Sequence, residues 1–156
     1  MSVETPEQAT SIIKRWMEDR GFFTADKTDD ESYFLFEGSC GDGLNFVIQQ
    51  PKTMKRVVGA LMRLAFDSQH IAALNSMPPD ERSNFIWDLR RDLMFIPPSV
   101  SFSPDVDNPE SIFIVKEISY DELTEGNLNE AVDQNIRALI WVSISLIRKF
   151  GVPNEE

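Results

Sequence analysis

The sequence contains very few of the side chains that most often carry catalysis or bind metals. Cys40 is its one cysteine and His70 its one histidine among 156 residues. They lie far apart in the sequence, and neither has a neighbour that would complete a zinc site or a nucleophile–base pair. A single cysteine also excludes an internal disulfide. We therefore expect no metal, no cofactor and no catalytic set, which favours a protein that is not an enzyme, with His70 on the surface of a short helix.

Positive charge is scarce as well. The chain has 15 Lys and Arg residues against 26 Asp and Glu residues, which gives a formal net charge of −11. Duplex nucleic acid and anionic membranes are bound through clusters of Lys and Arg, so we expect neither as a partner. The charge favours solubility, and a high-salt cytoplasm or a basic partner would also explain it.

Long apolar runs are also missing. The longest one, residues 138–147, is shorter than the roughly 20 residues that a membrane-spanning helix needs. The N-terminal residues lack the basic start and apolar core of a secretory signal. These absences predict a cytoplasmic protein.

The residues that are present predict one α+β domain over residues 1–156, with 42% hydrophobic content for its core. Thr5, followed by Pro6 and Gln8, forms a capping-box pattern that starts a helix, and Gly21 ends it. Short strands are expected at 22–24, at 33–36, which is apolar on both faces, and at 44–49, where apolar and polar residues alternate. The run from Gly41 to Gly43 supplies the hairpin turn.

Residues 54–65 fit two structures. Their apolar residues form a helical stripe, yet they also alternate with the period of a strand. Gly59 weakens a helix and the paired valines 57–58 favour a strand, so we predict a fourth strand of an antiparallel meander.

The second half of the chain predicts two helices, two strands and a final helix. Ser68 is expected to cap the first helix, and the Pro-Pro pairs at 78–79 and 97–98 bound the second. Strands follow at 99–103 and 112–118. Ser119 opens a capping box, with a restart of the final helix at Asn127, and the helix runs to Phe150. The predicted order is α-β-β-β-β-α-α-β-β-α, with helices packed on an antiparallel sheet.

Two groups of residues are candidate sites. The final helix is apolar around nearly its whole circumference. Either its own chain encloses it, or Ile140, Trp141, Ile144 and Ile147 form an interface with a second subunit. The basic residues are Lys52, Lys55, Arg56 and Arg63. They would bind an anionic ligand, or else they protect the edge of a strand.

Two other motifs fail on named residues. The glycine-rich run 38–43 is not followed by the lysine of a phosphate-binding loop, so a hairpin is the simpler interpretation. The acidic run 105–110 begins like a calcium loop, but Glu110 and Lys116 stand where that loop needs Gly and Glu.

The whole layout resembles a small family of uncharacterised microbial, chiefly archaeal, proteins. The resemblance rests on the capped first helix, the strand meander, the Pro-Pro-Asp-Glu-Arg helix start at 78–82 and the long final helix. More distantly, the order of elements resembles type III secretion chaperone-like domains, which are small, acidic and usually dimeric. The resemblance is one of layout and implies no site residues.

Two functional hypotheses follow. The first is a non-catalytic protein-binding module or chaperone-like adaptor, acting as a homodimer or with another protein. The alternative is a small-molecule-binding protein or enzyme that uses a cleft between sheet and helices, with Arg56, Arg63 or aspartates as polar anchors.

Overall fold

A computed structural model describes residues 2–41 and 43–154. It confirms the predicted α+β order of elements. The elements are α1 (Pro6–Asp19), β1 (Phe23–Asp26), β2 (Ser32–Ser39), β3 (Asn45–Pro51), β4 (Val57–Ala65), α2 (Ser68–Ser76), α3 (Pro79–Leu93), β5 (Ser99–Ser103), β6 (Ser111–Ser119), a 3-10 turn (Tyr120–Glu122) and α4 (Glu125–Phe150). The six strands form one antiparallel sheet in the order β1-β2-β3-β4-β6-β5.

The ambiguous segment is a strand, as predicted, and it lies in the middle of the sheet. β4 pairs with β3 on one side and with β6 on the other, so that Ala60 lies opposite both Ile48 and Lys116. The turn before it needs a left-handed residue at Arg56, whose φ is 59°. Residues 54–56 are therefore turn, and the strand begins at Val57.

One face of the sheet carries the core. Its inward side chains are fully buried: Phe34, Phe36, Ile48, Val58, Ile112 and Ile114. On this face α1 lies over β1 and β2, and α4 lies over β4 and β6. On the opposite face Leu35, Val47, Leu61 and Val115 remain only partly buried, because α1 and α4 both pack on the core face of the sheet.

The N-caps of the first two helices show how well the local sequence predicts where a helix begins. At Thr5 the predicted capping box forms, since the Gln8 N–H donates to Thr5 Oγ1 at 3.3 Å and the Thr5 N–H donates to Gln8 Oε1 at 3.3 Å. The prediction at Ser68 is wrong by one residue. Asp67 is the N-cap, and its Oδ1 accepts the Gln69 N–H at 2.8 Å, so Ser68 is the first helical residue.

The start of the last helix is also corrected. Ser119 leads only into the 3-10 turn, because the Tyr120 N–H donates to the Arg56 carbonyl at 2.9 Å and holds the chain against the sheet. Thr124 is the N-cap of α4, and its Oγ1 accepts the Asn127 N–H at 3.0 Å. The helix therefore begins before Asn127, where we expected the restart.

The hairpin turn between β2 and β3 is present, with positive φ at Gly41 (84°) and Gly43 (74°). Asp42, between them, lies outside the described residues.

Candidate functional site

The helix α4 has two apolar faces, and only one is covered. The covered face contains Leu128, Ala131, Val132, Asn135, Ala138, Val142 and Leu146. The other face leaves Ile140, Trp141, Ile144 and Ile147 exposed by 45%, 42%, 53% and 40%. We call these four residues the α4 stripe. A helix enclosed on all sides by its own chain is therefore not what the structure shows, and the alternative of an interface stays a prediction.

Two arginines flank the α4 stripe. Arg137 lies about one turn before the stripe, and Arg148 follows it at the end of the helix; both are exposed. A positive charge in the last turn of a helix interacts favourably with the helix dipole. Neither arginine forms a salt bridge within the described part of the chain. An apolar stripe with a polar rim is the usual anatomy of a protein–protein contact.

The four basic residues predicted as an anion patch do not form one cluster. Lys52, Lys55 and Arg56 lie at the β3–β4 turn, whereas Arg63 lies on β4, about 20 Å from Arg56 along an extended strand. The strand-edge explanation is wrong as well, since β4 is paired on both sides.

Within this group, three members have internal partners. Lys52 Nζ donates to the Asp30 carbonyl at 2.8 Å. The Arg56 guanidinium contacts Glu4 Oε2 at 3.5 Å and Asp121 Oδ1 at 3.0 Å. It also lies over the Tyr120 ring, while the Arg63 guanidinium lies over the Phe113 ring. Arg56 thus ties the β3–β4 turn to the N-terminal segment and to the 3-10 turn.

A second exposed apolar region was not anticipated from the sequence. A groove of about 730 Å³ lies between the end of α3 and strand β5. Its apolar lining consists of Trp87, Leu93, Met94, Ile96, Pro97, Pro98, Val100 and Phe102. Trp87 and Met94 are 66% and 83% exposed, and the adjacent Phe95 is 86% exposed. We call this the α3–β5 groove. The signal in the sequence was the run Met94-Phe95, two large apolar residues beyond the last turn of α3.

Charged residues at the α3–β5 groove are mostly arginine. The Arg90 guanidinium lies 5.1 Å from the centre of the Trp87 ring. Arg91 contacts Asp88 Oδ1 at 3.1 Å and Asp92 Oδ1 at 3.5 Å. Arg90 has no carboxylate partner among the salt bridges of the described residues. Within the described part of the chain, the rim of the groove therefore carries one cation without a carboxylate partner.

Several buried polar side chains have hydrogen-bond partners, although Asn135 Oδ1 is buried without one among the described residues. The Tyr120 hydroxyl donates to Gln50 Oε1 at 2.6 Å, and Gln50 Nε2 donates to the Met54 carbonyl at 3.2 Å. Burial raises the pKa of Tyr120 above its ordinary value, against the effect of the bond to Gln50. Asn135 Nδ2 donates to the Ala60 carbonyl at 2.8 Å, which links α4 to β4.

The prediction that His70 lies on the surface is wrong. Its side chain is buried, with Nε2 at 2.9 Å from the Gly151 carbonyl and the ring 6.0 Å from that of Phe150. The reason is tertiary, because α2 packs against the C-terminal end of α4. Among residues 2–41 and 43–154, no group of three His, Cys, Asp or Glu side chains is placed to hold a metal ion. In the same ranges no helix is both long enough and apolar enough to cross a membrane.

Comparison with known proteins identifies the family. The model of a family described as "Uncharacterized conserved protein (DUF2299)" matches residues 9–146. The chain belongs to this family. The predicted resemblance to an uncharacterised family is thus confirmed, and no curated protein matches the chain.

Solved structures show the same fold. An uncharacterized protein from Methanothermobacter thermautotrophicus has a TM-score of 0.86 at 20% identity, covering 92% of this chain and 99% of that one. The Yersinia pestis type III secretion chaperone SycH, solved in complex with a stable fragment of YscM2, has a TM-score of 0.53 at 10% identity, covering 83% and 95%. YbjN, a putative transcription regulator from E. coli, has a TM-score of 0.50 at 10% identity, covering 89% of both chains. The predicted likeness to chaperone-like domains is confirmed at the level of fold.

Proposed function

We propose that this protein is a cytoplasmic, non-catalytic protein-binding module of the chaperone-like adaptor kind, which forms a homodimer through the α4 stripe. The observation that carries the proposal is the exposure of four large apolar side chains on one face of a helix whose other face is already buried. A contiguous apolar patch of this kind on a soluble protein is typical of an interaction site.

The spacing of the stripe suits a helix–helix contact. Ile140, Ile144 and Ile147 recur at intervals of four and three residues, which is the pattern of a seam between two helices. Trp141 lies beside them, and residues 127–150 contain neither glycine nor proline to bend the helix. A two-fold axis through such a seam places the same patch on both subunits, as in most homodimers.

The size of the stripe sets the expected affinity. Each stripe exposes on the order of 350 Å², so two would bury on the order of 700 Å², below the roughly 1,200 Å² of a standard stable interface. The contact therefore needs some of the flanking surface near Arg137 and Arg148. We expect a reversible dimer of micromolar affinity rather than an obligate one.

The shared fold supports a role in binding proteins. SycH, which has the same fold, was solved with a fragment of another protein bound to it. At 10% identity that likeness extends to the fold alone, so the α4 stripe carries the proposal and the likeness only agrees with it.

Sedimentation velocity over about 1 to 500 µM would test the dimer. The wild type is expected to shift from monomer to dimer within this range. Ile144→Glu, which places a charge in the centre of the stripe, should remain a monomer throughout. Lys149→Gln changes the net charge by the same amount but lies on another side of α4, and it should behave like the wild type. A wild type that stays monomeric at the highest concentration would contradict the proposal.

The small-molecule alternative has less support. The α3–β5 groove has a suitable volume, since ligand sites commonly measure about 300–1,000 Å³. However, sites of that kind bury most of their ligand, whereas Trp87 and Met94 are largely exposed on this groove. Arg56 and Arg63, the anchors expected from the sequence, do not line it. A thermal-shift screen with metabolites at millimolar concentration would favour this alternative if one of them stabilised the protein.

A further inference from the structure

Strand β5 is an edge strand that presents unpaired backbone groups. Two backbone hydrogen bonds at the ends of the β4–β6 pair show which residues of β6 are bonded to β4. The Phe66 N–H donates to the Glu110 carbonyl at 2.9 Å, and the Tyr120 N–H donates to the Arg56 carbonyl at 2.9 Å. Even-numbered residues of β6 therefore face β4, and odd-numbered ones face β5. Because Ser101 lies opposite Phe113, the N–H and C=O groups of Val100 and Phe102 point away from the sheet.

The two edges of the sheet differ in how they are protected. At the opposite edge, β1 contains a register shift between Phe23 and Ala25, ends at the charged Asp26 and is followed by Lys27. Bulges and charges of this kind discourage pairing with another strand. β5 pairs with β6 in continuous register and contains no charged residue and no proline. Its edge is thus open along residues 99–103.

The α3–β5 groove lies beside this open edge. Val100 and Phe102 belong both to the strand and to the lining of the groove, and Trp87 and Met94 contribute from the side of α3. An extended segment paired with β5 would direct every second side chain toward this apolar surface. Main-chain bonds and side-chain burial would then act together, as in strand addition generally.

The positive charge of Arg90 at the groove indicates which kind of peptide segment would bind there. Arg90 has no carboxylate partner in the described salt bridges, although the chain as a whole has a net charge of −11. An acidic segment would satisfy Arg90 locally, because screening confines charge effects to within about 8 Å at physiological salt. A second copy paired edge to edge would instead supply a second Arg90, because Arg91 is already paired with Asp88 and Asp92.

We propose that β5 and the α3–β5 groove bind an extended segment of a partner protein that adds a strand to the sheet, with apolar residues and one acidic residue at the alternate positions that face the groove. The proposal rests on the proposed function only in that the ligand is a protein. It does not require the dimer formed through the α4 stripe.

A phage-displayed library of random peptides, each about twelve residues long and so long enough to span β5, is the probe. Selection on the full chain should enrich peptides whose every second residue is apolar, with one acidic residue among these alternate positions. The most enriched peptide would then be synthesised with a fluorescent label, and its affinity for variants would be measured by anisotropy. Absence of enrichment, or enrichment of basic peptides, would overturn the proposal.

The backbone contribution is tested at Val100. Val100→Pro removes the outward N–H without touching a bond to β6, and it should weaken binding about tenfold or more. Val100→Ala keeps that N–H and is the matched control for the lost side chain, so it should bind more tightly than the proline variant. Circular dichroism would establish that both variants fold. Equal affinities for the folded proline and alanine variants would overturn strand addition.

The charge contribution is tested at Arg90. Arg90→Glu should weaken binding about tenfold, since it replaces a charge-assisted contact with repulsion. Ile144→Glu, which disrupts the proposed dimer, should leave peptide affinity unchanged, so failure of the dimer and failure of the groove are distinguishable. If Val100→Pro changed the sedimentation of the protein without peptide, a second copy would occupy β5 and the proposal would be overturned.

Discussion

The two faces of α4 are equally apolar in sequence and opposite in environment. Val142 and Leu146 are buried against the sheet, whereas Ile140 and Ile144 are about half exposed on the same helix. The difference comes entirely from what lies opposite each face, because α4 covers β4 and β6 with only one side. An apolar helix face therefore indicates that something must cover it, but not whether that is the same chain or another one.

Truncating one side chain on each face of α4 tests this difference most directly. Leu146→Ala should lower the free energy of unfolding by about 2–5 kcal/mol, since it removes buried contacts and leaves a cavity. Ile144→Ala should change it by no more than about 0.5 kcal/mol in the monomer, because its side chain is half exposed. Urea unfolding at low protein concentration measures both. Equal losses would mean that the two faces do not differ as described.

Glycines provide a second comparison between the interior and the outer surface. A Cβ at Gly38 would lie 2.5 Å from Phe46 Cζ and 2.9 Å from Met17 Cε, beneath α1. Gly38→Ala should therefore cost about 1–3 kcal/mol through overpacking. Gly126, in the first turn of α4, faces open space apart from Thr124 Oγ1 at 3.9 Å.

Gly126→Ala is the matched variant, and it should stabilise the protein by about 0.5–1 kcal/mol because alanine has the higher helix propensity. Differential scanning calorimetry of the two variants would show Tm shifts of opposite sign. A decrease in Tm for Gly126→Ala would show that this turn is more crowded than its surroundings indicate.

The sequence could predict features that depend on neighbouring residues, but not those that depend on contacts between residues distant in the chain. The Thr5 cap and the alternation of β4 were predictable, because both depend on residues within one turn or one strand. Asp67 displaced Ser68 as a cap because two capping residues stand side by side, and spacing does not rank them. His70 and the start of α4 were missed because contacts with Gly151 and Arg56, distant in sequence, determine them.

The candidate site divides in the same way. The α4 stripe could be predicted, since its residues recur on one helix at regular intervals. The α3–β5 groove could not, because it exists only where the end of one helix meets an edge strand. The basic group at 52–63 was predicted as a unit because its members are close in sequence. The β3–β4 turn and the long β4 strand then separate Arg56 from Arg63.

The last prediction concerns the polar part of the interior. Tyr120→Phe removes the bond to Gln50 Oε1 and should cost about 1 kcal/mol at neutral pH. The pKa of Tyr120 is raised in the folded protein by burial, so the folded state retains its proton more strongly than the unfolded state. This contribution is present below the unfolded pKa, near 10, and is lost as pH rises above it.

Urea unfolding at about pH 8 and at about pH 11, on either side of the tyrosine pKa, would test this sign. The wild type should lose more stability between the two than Tyr120→Phe does. An identical pH dependence in wild type and Tyr120→Phe would place the hydroxyl in contact with solvent. Solvent would then reach the interior at Tyr120, whereas it does not reach the covered face of α4.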